Sequence, residues 1–153
     1  MNTSTASAPD SILVACPGCH SVVRTPAERL GEQPKCPRCK AMLLPGKVIA
    51  LDATAFATHT TRGSLPVLVE FWAPWCGPCR AMAPVLERTA ADRAASVQVA
   101  KVNTDEQPDL AGRFNIRSIP TLILFRGGRE IARHSGAVDS ATLGRWLDSA
   151  LTR

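Results

Sequence analysis

From Lys47 onward the apolar positions alternate between two periods. Val48–Leu51 is a short apolar run that predicts a strand, and Asp52 then stands where an N-cap would start a helix over Ala53–Thr60. Val67–Trp72 is continuously apolar apart from Glu70, the pattern of a central strand covered on both faces. After Cys76 the period lengthens: Met82, Val85, Leu86 and Thr89 form an i, i+3, i+4, i+7 stripe, with Glu87, Arg88 and Asp92 facing away. Pro84 lies inside this helix and predicts a bend. Val97–Val102 reads as strand, Pro108–Phe114 as a short helix and Thr121–Phe125 as strand. Gly127-Gly128 reads as a hairpin turn, Glu130–His134 as strand and Ser140–Leu151 as a closing helix. The order is βαβαβαββα. Strands joined through helices pair in parallel by right-handed crossovers, and the hairpin adds an antiparallel pair, so the fold class is α/β with a mixed central sheet flanked by helices.

The stretch before Lys47 has no such periods. Residues 1–11 are small and polar and predict a mobile tail, 12–44 a separate module, 45–47 (Pro45-Gly46-Lys47) a linker, and 48–153 the main domain. A chain of 153 residues and 16.3 kDa with 45% hydrophobic residues has room for one ordinary core, and the front module is too short for one of its own. The longest apolar runs fall far below the roughly 18 residues a membrane span needs. With no basic start and no signal-type apolar region, a cytoplasmic protein is expected. The net charge of +5 is scattered, with Arg24, Arg29, Lys35, Arg38 and Lys40 in front and arginines behind, so no nucleic-acid partner is expected from charge.

Six cysteines fall into three Cys-x-x-Cys pairs. In a reducing compartment such pairs serve as metal ligands or redox catalysts rather than as fixed disulfides. Cys16, Cys19, Cys36 and Cys39 have the spacing C-x2-C-x16-C-x2-C of a tetrahedral zinc site, and binding one ion would supply the stability the short module lacks. Cys16-Pro17-Gly18-Cys19-His20 also spells the attachment pattern of a c-type haem. That reading needs an export route and leaves the second pair without a role, so His20 is read as a solvated neighbour. The third pair, in Trp75-Cys76-Gly77-Pro78-Cys79, follows a buried strand and opens a helix, which is the setting of a dithiol redox site. No Gly-rich nucleotide motif follows a strand, so no directly bound nucleotide is expected.

Phe71-Trp72-Ala73-Pro74-Trp75-Cys76-Gly77-Pro78-Cys79, with Lys101-Val102-Asn103-Thr104-Asp105, Ile119-Pro120-Thr121 and Gly136-Ala137, resembles the thioredoxin family over residues 48–152. The cysteine-rich leader is similar to the zinc ribbon-like extension of the bacterial thioredoxin 2 type. The resemblance implies a thioredoxin fold behind a small zinc ribbon-like module, and a monomeric protein-disulfide reductase that takes electrons from NADPH through thioredoxin reductase. Cys76 is expected as the attacking thiolate, stabilised at a helix N-terminus, and Cys79 as the shielded resolving thiol. Thioredoxins are themselves a standard example of a lowered Cys-x-x-Cys thiol pKa, so the direction of that shift comes from the resemblance as much as from the helix position.

Glu70 matches a buried acid thought to relay a proton to the resolving thiol, and Lys101 matches the lysine that pairs with that acid. The plainer readings are a strand-end Glu reaching solvent and a surface Lys. The match at Ile119-Pro120 implies a cis bond that leaves the Ile119 backbone free for an extended substrate. Trp75, Gly77, Pro78, Gly136 and Ala137 complete the expected substrate surface, Trp75 being exposed and Trp72 in the core. For the zinc module two roles are expected as alternatives, an oxidant sensor and a docking surface for partners, with a stabilising cap as the plainer one. From another class, the chain reads as a zinc-dependent binding module or redox-regulated holdase whose larger domain is scaffold.

Overall fold

A computed structural model of the chain describes residues 10–152. The mobile tail expected over residues 1–11 lies outside the described residues as far as residue 9. At its other end Ser11 already belongs to a strand.

The front module is a two-stranded antiparallel sheet, β1 (Ser11–Ala15) and β2 (Val22–Pro26), followed by a 3-10 turn over Ala27–Glu32. Its buried core consists of Val14, Cys16, Cys36, Leu43 and Leu44, with Leu65 of the main domain packed against it. Two of these five are cysteines, so little purely apolar burial holds the module together.

The main domain runs β3 (Ile49–Ala50), α1 (Ala53–Thr61), β4 (Val67–Trp72), α2 (Gly77–Asp92), β5 (Gln98–Asn103), α3 (Pro108–Arg113), β6 (Thr121–Arg126), β7 (Arg129–Ser135) and α4 (Ser140–Leu151). The sheet order is β3-β5-β4-β6-β7, with β4 parallel to β5 and antiparallel to β6. The order and mixed sheet are those expected from the periodicity. β3 keeps only two residues of the expected Val48–Leu51, Ile49 and Ala50, opposite Ala100 and Lys101 of β5, with one further bond from Leu51 N–H to Lys101 O at 3.0 Å. α2 continues as one helix through Pro84.

β4 is central, and alternation along it sorts two cores. Val67, Val69 and Phe71 pack with Phe56, Val102, Ile123 and Phe125 on one face. Leu68 packs with Met82, Leu86, Leu122, Leu143 and Leu147 under α2 and α4 on the other. Glu70, two residues from Leu68, therefore points to the α2 side. Burial on both faces explains why the run is continuously apolar, and why its single acid stands out.

The segment expected to be a linker is packed rather than loose. Pro45 and Gly46 are half-buried, and Gly46 takes φ +68°, a left-handed conformation that favours glycine, beside Ala90 and Ala91 of α2. The two parts also share polar contacts. Leu13 N–H donates to Ser64 Oγ at 2.8 Å, and Leu13 C=O accepts from Ser64 N–H at 2.7 Å.

Candidate functional site: a dithiol at a helix N-terminus and a four-thiol cluster

The chain turns out of β4 through Ala73-Pro74-Trp75 and starts α2 at Gly77, with Cys76 as its N-cap. Pro78 sits in the first turn, where its missing N–H costs nothing. Cys76 Sγ accepts from Cys79 N–H at 3.1 Å, so a backbone donor and the positive end of the helix both face this sulfur. Cys76 and Cys79 are joined as a disulfide with Cα atoms 5.2 Å apart. Cys76 is 5% exposed and Cys79 2%, and Cys79 lies on the inner side of the first turn.

The residues expected to contact substrate fall into two sets. Cys76 Sγ lies 3.8 Å from Ile119 O, the Ile119–Pro120 bond is cis, and Gly136 N–H donates to Pro120 O at 2.9 Å. Trp75, 68% exposed, lines a groove of about 190 Å³ with Ile116, Arg117, Ser118 and Ile119. Gly77, Pro78 and Ala137 are exposed and do not line this groove. Asp105, which carried no role in the sequence reading, accepts the Trp75 indole N–H at 3.0 Å and orients the ring. Its own loop is held by Asn103 Oδ1, which accepts from Asp105 N–H and Glu106 N–H.

Glu70 is 3% exposed, and its Oε2 has no hydrogen-bond partner among the described residues. Desolvation raises its pKa from 4.5 to about 7, against the lowering effect of the Lys101 charge. Glu70, Cys79, Lys101 and Trp72 line one cavity of about 280 Å³. Lys101 is the register partner of Glu70 across β4 and β5, yet its Nζ sits over the Trp72 ring, 4.7 Å from the centroid. Trp72 is accordingly half-buried beside the cavity rather than a core residue.

In the front module the sulfurs of Cys16, Cys19, Cys36 and Cys39 lie within 4.8 Å of one another. Cys16 Sγ is 3.5 Å from Cys39 Sγ, and Cys19 Sγ is 3.7 Å from Cys36 Sγ. A tetrahedron of zinc–sulfur bonds of about 2.3 Å has edges of about 3.8 Å, so the four thiols fit one such ion. Gly18 N–H points at Cys16 Sγ at 3.3 Å, and a Cβ on Gly18 would stand 3.2 Å from Cys39 Sγ, so glycine leaves room for the cluster. His20 is exposed but is more than a solvated neighbour: its Nδ1 lies 3.1 Å from Nε2 of His59, a buried residue of α1. His59 Nδ1 in turn lies 3.4 Å from Gln98 Oε1, and Gln98 Nε2 donates to Ala15 O at 3.3 Å. His59 and Gln98 were not singled out from the sequence. Their only signal was polarity at positions where the periodicity predicts burial.

A redox-active cysteine pair on a β-to-α turn of this sheet defines a thiol–disulfide oxidoreductase. Comparison with known proteins places it further. Residues 47–149 match the Thioredoxin family profile, and residues 15–41 match the profile described as Thioredoxin 2, N-terminal. Thioredoxin C-3 of Corynebacterium nephridii is 40% identical over 140 residues, covering 92% of this chain and 96% of that protein. Thioredoxin 1 of Synechococcus elongatus is 50% identical over 100 residues, 65% of this chain and 92% of its own. A mutant thioredoxin from Halobacterium salinarum NRC-1 superposes with a TM-score of 0.64 at 32% identity, covering 69% of this chain and 92% of the other. The chain belongs to the thioredoxin family and carries a zinc-ribbon module at its front.

Proposed function

We propose that the chain is a cytoplasmic protein-disulfide reductase that receives electrons from NADPH through thioredoxin reductase, and that Cys16, Cys19, Cys36 and Cys39 hold one zinc ion. The observation that carries the reading is the Cys76 sulfur, capped by the Cys79 N–H at a helix N-terminus and facing the Ile119 carbonyl. In the reduced protein the Cys76 thiolate attacks one sulfur of a substrate disulfide, forming a mixed disulfide and releasing a substrate thiolate. Cys79 then loses its proton and attacks Cys76 Sγ, closing the Cys76–Cys79 disulfide and releasing the second thiolate. Two electrons pass to the substrate and the reductase returns them. Glu70, uncharged below about pH 7 and charged above it, takes the Cys79 proton through the shared cavity, and Lys101 biases Glu70 toward its charged form. Trp75, Gly77, Pro78, Ile119, Pro120, Gly136 and Ala137 form the surface an extended substrate lies on.

Bound zinc would tie two knuckles into one module. The module over residues 12–44, joined to the main domain by the linker 45–47, serves as an oxidant sensor or as a docking surface, and the protein acts as a monomer. NADPH-driven reduction of insulin disulfides, with thioredoxin reductase supplied and zinc per chain quantified in the same sample, tests the reading. Steady NADPH consumption that disappears on Cys76→Ser is the expected result. No consumption by zinc-loaded, reduced protein would return the chain to the binding-module reading.

A further inference from the structure

The docking role of the front module can be given a place and a chemistry. β1 and β2 form a two-stranded sheet in which Leu13 faces Arg24 and Ala15 faces Val22. Leu13 turns both its N–H and its C=O outward to Ser64, and Ala15 turns its C=O outward to Gln98. In an antiparallel pair, opposed residues either exchange both bonds or both turn away. Arg24 and Val22 therefore turn their N–H and C=O groups away from β1, toward the far edge of β2. The outer edge of β1 is covered by the Ser64 segment. The outer edge of β2, among the described residues, carries no hydrogen bond at Val22 or Arg24.

That open edge borders a cleft of about 580 Å³ between the module and α1, lined by Val22, Arg24, Arg38, Arg62 and His20 and by no carboxylate. Arg24, Arg38 and Arg62 form no ion pair among the described residues. Arg24 donates to Ser11 Oγ at 3.2 Å, and the cleft continues past Arg24 and Pro37 to Arg29 and Lys35, where Glu32 is the one acid.

We propose that the outer edge of β2 is a docking site for an extended acidic segment of a partner protein, which adds to the sheet as a third strand while its carboxylates meet Arg24, Arg38 and Arg62. Along about 17 Å of strand, Val22 and Arg24 each offer an N–H and a C=O and Pro26 a C=O, enough for a short strand to be added. Charge selects the occupant. A second copy pairing through the same edge would bring Arg24 near Arg24, which opposes self-association. Residues 1–9 of this chain hold no carboxylate. This site lies between the front module and the end of α1 and includes none of the residues placed at the dithiol, so it rests on the docking part of the proposed function and not on the reductase part.

The test is fluorescence anisotropy of a labelled twelve-residue peptide of alternating Glu and Thr, added to zinc-loaded full chain at low salt, with amide exchange followed in parallel. Binding is expected, with slowed exchange at the Val22 and Arg24 amides. A Lys-for-Glu peptide and one N-methylated at alternate residues should bind roughly tenfold or more weakly, as should the Arg24→Glu/Arg62→Glu variant. If the double variant misfolds, which its zinc content would reveal, Arg62→Glu alone reads the charge from outside the zinc module. Equal binding of the N-methylated peptide, indifference to the arginine substitutions, or displacement by oligothymidylate with protection of the same amides would overturn the proposal. Insulin reduction by the same variants should be unchanged, so failure of docking and failure of reductase activity are separately visible.

Discussion

At the scale of single residues, Glu70 is a carboxyl buried at 3% exposure with one oxygen unpartnered among the described residues. Burial lifts its pKa from 4.5 to about 7. An acid whose folded pKa is raised contributes most to stability below its unfolded pKa, and that contribution is lost as pH rises through the folded value. The fold should therefore lose on the order of 3 kcal/mol from this residue as pH rises from about 4.5 through about 7. Glu70→Gln should abolish that loss, so that urea denaturation finds the variant more stable than the parent at pH 8 and comparable at pH 4. The same substitution should cost speed. Resolution of the mixed disulfide is expected to quicken in the parent as pH passes about 7 and to be slower and flatter in the variant, with initial attack unchanged, as read by stopped-flow Trp fluorescence. Cys79→Ser should stall after attack, leaving a substrate covalently held on Cys76 that mass spectrometry detects without reductant.

At the scale of elements, helix starts carry much of the positioning. α1 opens on Asp52, whose Oδ1 accepts from Ala55 N–H at 2.8 Å. Asp52→Ala should lower stability by about 1 kcal/mol in urea titration and leave insulin reduction near its parent rate, since α1 is remote from Cys76. The helical and strand periods that betrayed these elements were legible because they are local: Met82, Val85, Leu86 and Thr89 mark one face of α2 wherever that helix packs. β3 is shorter than Val48–Leu51 because the chain lies alongside β5 only opposite Ala100 and Lys101 before Asp52 caps α1, and that is a matter of register between distant segments. Trp72 was misplaced for a related reason. Its side of β4 faces Lys101 and the cavity beside α2, and strand pattern alone does not distinguish a filled face from one with a hole in it.

At the scale of the whole molecule, the two parts are coupled through His20, His59, Gln98 and Ala15 and through Leu13 and Ser64. With five buried residues in its core, the front module should depend on metal far more than the main domain does. Chelation is expected to release exchange protection at Val14 and Val23 while the β4 amides stay protected. His59→Leu should quicken zinc transfer to a chromogenic chelator several-fold by removing the ring that steadies the knuckle of Cys19 and His20, and a rate equal to the parent's would show that the contact carries no support.

Spacing along the chain determined the chemistry available here: two Cys-x-x-Cys knuckles sixteen residues apart for a metal, and a third on a strand-to-helix turn for redox work. Periodicity determined the element order. Both are properties of neighbouring residues, set by bond geometry and helix or strand pitch. Only the tertiary structure decided which side of β4 Glu70 faces, that Lys101 sits on Trp72 instead of on the acid, that Asp105 holds Trp75, and that His59 reaches His20 beside the first cysteine pair. Those contacts join residues about thirty or more apart in sequence, and their geometry follows from how sheet, helices and module pack together, which no local pattern encodes.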